Sequence, residues 1–265
     1  MKRAPILSAG LALLVAACGG MESIGPHGLN EQSALEQADA ARKAGDLNSA
    51  IPLYGRALQE NPDSVQAKLG LGQSYLSLGA GGEAAAQFRD VLAKHSGDTA
   101  AHRGLAAALI AQGQPALAEK QVEAVLQADA RDFRALNVMG VSLDMQGRHV
   151  EAQTRYRQGI ELSQDYIPLR SNLGLSLAIS GQAPEAVALL APLASSDTKA
   201  RENLAFAYAM AGDFTNALQL LRRDMNEPSA QRQLSYYIQL RSLPPDQRSV
   251  AVRANPNFFP QSSRG

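Results

Sequence analysis

Six glycines, Gly45, Gly79, Gly113, Gly147, Gly181 and Gly212, follow one another at intervals of 34, 34, 34, 34 and 31 residues. A period of this length commits the chain to stacking copies of one supersecondary unit, because a single unit cannot bury its own apolar face. The register also extends to side-chain size. Five residues after each glycine stands an alanine: Ala50, Ala84, Ala118, Ala152, Ala186 and Ala217. Seven residues before each glycine stands a small residue: Ala38, Gly72, Ala106, Gly140, Gly174 and Ala205. The position before that is Leu or Met in every unit but the first, which carries Gln37. Small residues on facing helices let the two axes approach closely. The glycine ends the first helix in a left-handed conformation that is cheap only without a Cβ.

This pattern resembles the tetratricopeptide repeat (TPR), a 34-residue pair of antiparallel helices. The resemblance implies an all-α chain built as a right-handed TPR solenoid of about six helix-turn-helix units over residues 32–228. The sequence is 45% hydrophobic and has no Trp, and its abundant Ala, Leu, Gln, Arg and Glu are strong helix formers. Large side chains at fixed places, among them Tyr54, Tyr75, Phe88, Tyr156 and Tyr208, with Leu58, Leu92, Leu126 and Ile160, are expected to fill the layers between units. Pro192 in "ALLAPLASSD" should end the second helix of unit five early, since a proline inside a helix loses a hydrogen bond and clashes with the preceding turn. An amphipathic run over 229–243, marked by Leu234, Tyr237, Ile238 and Leu240, is expected to cap the open end of the solenoid. Pro244 and Pro245 stop it, and 244–265 is expected to be extended or disordered.

The N-terminus reads differently. Lys2 and Arg3, an apolar run from Ile6 to Leu14, and small residues at Val15, Ala16 and Ala17 have the order of a secretory signal over 1–17. The only cysteine of the chain, Cys18, follows at once. Val15-Ala16-Ala17-Cys18 resembles the bacterial lipobox, which implies acylation of Cys18 and a lipid anchor. Gly19 in the next position implies, by the same resemblance, sorting to the outer membrane facing the periplasm. Residues 18–31 contain turn formers without apolar periodicity and are expected to act as a linker of about 20 Å reach.

No catalytic pattern emerges from the rest. Charges balance at 25 basic and 25 acidic residues, which gives nucleic acid no support as a partner. His27, His95, His102 and His149 have no second metal ligand at zinc spacing, and phosphate-loop, serine-elbow and HExxH motifs are missing. The expectation is a binding protein without enzyme activity, cofactor or metal. In the repeat family the first helices line the concave face. By that register the partner-binding groove of units four to six is expected to include Arg134, Asn137, Val141, Met145, Asn172, Leu175, Ile179, Asn203, Phe206 and Met210. Leu69, Gln73, Arg103 and Ala107 hold comparable places in earlier units. The asparagines admit two readings: they bond the backbone of a bound peptide, or they satisfy backbone groups between repeats.

Anchor, repeats and cap together, with "NLAFAYAMAGDFTNALQLLRRDMNEPSAQRQLSYYIQL" near the C-terminus, resemble the TadD-like TPR lipoproteins of the tight-adherence (Tad, Flp pilus) system. That resemblance implies a scaffold that binds a secretin or other pilus components and assists assembly of the machine. Pilotins of type IV pili, the β-barrel assembly machinery and adaptors of peptidoglycan enzymes also use TPR lipoproteins, and remain as alternatives.

Overall fold

The computed structural model describes residues 30–255, and every regular element among them is a helix. The signal, Cys18 and most of the linker lie outside the described residues, as do the last ten residues. Six helix pairs follow in order: α1 (Glu31–Lys43) with α2 (Leu47–Glu60), α3 (Val65–Ser77) with α4 (Gly81–Lys94), and α5 (Thr99–Ala111) with α6 (Pro115–Ala128). Then come α7 (Phe133–Met145) with α8 (His149–Leu162), α9 (Ile167–Ile179) with α10 (Ala183–Leu190), and α11 (Thr198–Ala211) with α12 (Phe214–Asp224). Two further helices, α13 (Glu227–Ser242) and α14 (Pro245–Arg253), complete the chain.

One turn is used six times. Each periodic glycine has φ between 70° and 93°, and the residue after it donates its N–H to a carbonyl five positions back at 2.8–2.9 Å, as in Arg148 to Leu143 and Gln182 to Leu177. This is the hydrogen bond that closes a Schellman motif, and it sets the direction of the second helix. Most first helices begin on a side-chain cap: Asn30, Ser64, Asp98, Asp132 and Asp197 each accept from the N–H three residues on. Such caps satisfy N-terminal N–H groups of these first helices, while the glycine turn takes up carbonyls at their other ends.

The periodic alanines of the second helices are fully buried, as are Ala38 and Ala106. At the same period of 34 and finally 31 residues, Tyr54, Phe88, Val122, Tyr156, Leu190 and Leu221 sit at 0–2% exposure. They press into the space that the small residues leave. A Cβ at Gly72 would stand 2.7 Å from the ring of Phe88, well inside contact distance. Leu92, Leu126, Ile160 and Tyr208 are partly buried against the main core, Leu58 against a smaller one in the first units, and Tyr75 against both.

Each first helix touches the first helix of the next unit, whereas consecutive second helices share no comparable contact. The stack therefore curves with its first helices inside. Pro192 acts as expected: α10 ends at Leu190 after 8 residues, against 14 in α8. The shortened unit lets α9 and α11 pack more closely than any other pair of neighbouring first helices.

Two expectations need correction at the C-terminus. Ile238 is not on the apolar side of the capping helix but 41% exposed, while α13 buries Ala230, Leu234, Tyr237 and Leu240. Residues 245–253 are helical rather than extended. Pro245 stands in the first turn, where its missing N–H costs nothing, and Asp246 and Arg253 complement the helix dipole at the two ends. Because Ala152 is fully enclosed where α7 and α8 meet, Ala152→Leu is expected to destabilise the chain by about 1–3 kcal/mol, measurable as a lower midpoint in urea with the slope unchanged.

Candidate functional site

The inner face carried by the first helices changes character along the stack. In the first two units it is open: Asp39, Val65, Gln66, Leu69, Gly70 and Gln73 line a shallow cleft of about 420 Å³ between α1 and α3. Gln73 is exposed and Leu69 half-buried. The carboxylate of Asp39 accepts from Gln66 Nε2 at 3.1 Å and from the Tyr54 hydroxyl, which is pushed up to about 12 by burial and by that carboxylate. Further along, Arg103 pairs with Asp132. Ala107 is buried.

From unit four onward the face is closed. Of the ten residues expected to line the groove, Arg134 is exposed and Met145 half-buried. The other eight, Asn137, Val141, Asn172, Leu175, Ile179, Asn203, Phe206 and Met210, are at most 8% exposed. The tight packing of α9 on α11 and the cover that α13 gives α11 contribute to this burial. Phe206 meets the Tyr237 ring edge-on, with centroids 5.1 Å apart, and Arg241 Nε donates to the Met210 carbonyl at 3.3 Å. The asparagines bond between repeats, but only Asn203 meets a backbone group: its Nδ2 donates to the carbonyl and hydroxyl of Ser171 at 3.1 and 3.0 Å, whereas Asn172 Nδ2 donates to the Asn137 side chain, Oδ1, at 2.9 Å. Arg134 remains available at the rim, where its guanidinium lies 4.7 Å from the Phe133 ring centroid and 5.7 Å from that of Tyr166. A cation held over two aromatic faces is a rigid, solvent-facing group of the kind enriched at interface anchors.

Inside the closed part lies a polar cluster that sequence reasoning did not single out. Asp144 is 2% exposed. It accepts from the Ser176 hydroxyl at 2.7 Å, from the Tyr156 hydroxyl at 2.9 Å, and bonds His149 Nδ1 at 2.7 Å. His149 Nε2 in turn lies 2.6 Å from Ser249 Oγ on α14. Burial pushes the Asp144 carboxyl above its usual range against the opposing effect of these bonds, and burial with the nearby carboxylate pushes the Tyr156 phenol up. Serine, histidine and aspartate stand in the order of a hydrolase relay, but Ser249 is only 4% exposed. The hydroxyl therefore joins α14 to the core of units four and five. One signal was present in the sequence: positions 76, 110, 144 and 178 are Leu, Ile, Asp and Ala at 34-residue spacing, so a carboxylate stands where the register is apolar.

On the outer side, Arg148 reaches both Glu119 and Glu151 across a cleft of about 710 Å³ between α6 and α8. No group of three or more metal-ligating side chains occurs among the described residues, and no described helix is long and apolar enough to cross a membrane.

Stacked helix pairs with a repeated glycine turn and an inner face of first helices define a tetratricopeptide repeat solenoid. Family models described as tetratricopeptide repeat match residues 35–99, 75–140, and 168–192 with 199–223. Together these segments cover more than half of the chain, and the chain belongs to that family. It is 37% identical over 150 residues to the uncharacterised protein y4yS of Sinorhizobium fredii, an alignment covering 52% of this chain and 82% of that one. It is also 35% identical over 137 residues to the type IV pilus assembly protein PilF of Pseudomonas aeruginosa, covering 50% of this chain and about half, 51%, of PilF. The solved structure of P. aeruginosa PilF superposes with a TM-score of 0.58 at 14% identity over 78% of this chain and 97% of that one. That of PilW, a type IV pilus biogenesis factor, gives 0.61 at 16% identity over 73% and 91%. The two structural likenesses show the fold.

The buried cluster can be tested directly. Asp144→Leu strands the Tyr156 and Ser176 hydroxyls and the His149 imidazole without a buried acceptor. It is expected to cost about 3 kcal/mol, read as a drop in denaturation midpoint, while a loss below about 1 kcal/mol would contradict the role assigned to the cluster.

Proposed function

We propose that this chain is a protein-binding scaffold of the bacterial envelope that assists assembly of a pilus machine, engaging its partners on the inner face of the solenoid. The observation that carries this reading is the sequence relationship to PilF over half of that protein's length, joined to an inner face that is open in the first units and ends on the Arg134 stack. A groove of mixed apolar and amide groups suits an extended or helical peptide, whose backbone bonds the amides while its side chains take the apolar floor. Gln66, Leu69 and Gln73 supply that mixture.

Localisation follows from sequence alone. Acylation at Cys18 would hold the solenoid at the outer membrane on its periplasmic side, since two or more acyl chains are needed for a lasting anchor. Within this reading the Tad, or Flp, pilus is the machine assigned by the C-terminal sequence pattern, with a secretin or pilus component as the partner. The 35% identity to PilF favours a second reading, a pilotin-like factor of a type IV pilus.

Affinity capture of the full-length protein from its own cells, after mild crosslinking and with mass-spectrometric identification, separates these. Flp or Tad components support the first reading and type IV components the second; barrel-assembly or cell-wall proteins would overturn both. A companion variant tests the face. Leu69→Arg together with Gln73→Arg is expected to lower partner capture at least tenfold, about 1.4 kcal/mol, with helicity unchanged by circular dichroism. Undiminished capture would rule out the open inner face as the contact surface.

A further inference from the structure

Helix α14 does not continue the solenoid. Pro244 and Pro245 break the chain after α13, and α14 turns back to lie along α9, with Pro245 near the α9–α10 turn at Gly181 and the Arg253 guanidinium near the α7–α8 turn at Gly147. Its hold is chiefly polar. Arg248 is 7% exposed, and every hydrogen bond it makes runs to a backbone carbonyl. Its Nε donates to Leu240 at 3.1 Å, Nη1 to Ile179 at 3.2 Å and Ala178 at 3.5 Å, and Nη2 to Leu243 at 3.1 Å and Arg241 at 3.5 Å.

These carbonyls belong to the last turns of α9 and α13 and to the α13 C-cap, where helix acceptors run short of partners and carry partial negative charge; those of Ala178 and Leu240 also accept from backbone N–H groups of the turns. A single guanidinium thus caps two helices at once. The planar five-donor fork makes this possible, and an ammonium could not span both ends. Burial and the neighbouring Arg241 pull the Arg248 pKa below its ordinary value. Apolar support is slight: Val252 is fully buried, but Val250 is 57% exposed. Further polar anchors are the bond between Ser249 and His149 and, just past the helix, that from Asn255 Nδ2 to the Tyr236 hydroxyl at 3.4 Å. Arg248, Ser249 and Val252 share one face of the helix, an arginine, a hydroxyl at i+1 and a branched aliphatic at i+4.

We propose that the surface formed by the C-terminal ends of α9 and α13 with the start of α8 is a docking site for an arginine-bearing helix, filled at rest by α14 and open to exchange with a partner helix of the same pattern. The acceptors are built into the solenoid and do not depend on which chain supplies the arginine. Nine ordered residues held by the buried Val252, the partly buried Ala251 and a set of hydrogen bonds form a unit that can open without the repeats unfolding. This reading stands whichever pilus machine the chain serves.

The test uses the full chain and a fluorescein-labelled peptide with the sequence of residues 244–255. Hydrogen exchange should show α14 amides exchanging at least tenfold faster than those of α9. In Arg248→Ala, α14 protection should vanish while α7 to α9 keep theirs. The labelled peptide should then bind the variant at least tenfold more tightly than it binds the wild-type chain, and a peptide with alanine in place of its arginine should bind neither. Val252→Asp releases α14 by a different contact and should give the same peptide binding. The proposal falls if α14 stays protected in Arg248→Ala, if the peptide binds neither variant, or if binding is indifferent to the peptide's arginine. It falls equally if both variants unfold throughout, because α14 would then be an integral part of the fold.

Discussion

Close approach of two helices within each unit is the constraint from which the rest of this structure follows. An alanine on the second helix and an alanine or glycine on the first remove the side-chain volume that would hold the axes apart. A large side chain from the second helix, Tyr54, Phe88 or Tyr156, then enters the space left above the small residue. The left-handed glycine fixes where the first helix stops, and the N–H beyond it closes onto the carbonyl five residues back. With both the distance and the angle fixed, each pair presents the same surface to the next. Stacking then needs no long-range instruction beyond repetition.

Departures from the repeat give the molecule its two different halves. A unit shortened by three residues and stopped at Pro192 draws α9 against α11, and the inner face closes there. Three sets of polar groups taken into that closed region are satisfied by one another: Asn172 by Asn137, Asn203 by Ser171, and Asp144 by three donors from α8 and α9. A fully satisfied buried network holds a single arrangement of its neighbours, whereas any missing member leaves a costly unpaired group. The first units keep the plainer repeat, and with it an inner face open to solvent.

Much of this was legible in the sequence. Gly45 through Gly212 and their partner alanines specify the turns, the close helix contacts and the number of units, because those depend on size and φ, which residue type encodes locally. Pro192 told where α10 ends for the same reason. The state of the inner face was not legible. Whether Val141, Leu175 and Phe206 line a groove or fill a core depends on how tightly α9, α11 and α13 converge, a long-range property that no local register carries. Helix α14 was read as an extended tail since Pro244 and Pro245 signal a stop; the same Pro245 is also a good first-turn residue, and only the acceptors waiting on α9 and α13 decide between the two. Asp144 was visible as one charged residue in an apolar register, yet its partners lie on two other helices, α8 and α9.

The claim at the centre of this account is that the open face of the first units, as far as the exposed Arg134 at its rim, receives the partner, rather than the closed positions beyond. A photo-crosslinking amino acid placed singly at Gln73, Arg134, Val141 and Leu175 of the full-length protein, activated in its own cells, measures this most directly. The account predicts partner adducts from Gln73 and Arg134 and none from Val141 or Leu175, which are 2% and 3% exposed. Adducts from Val141 or Leu175, with none from Gln73, would contradict it.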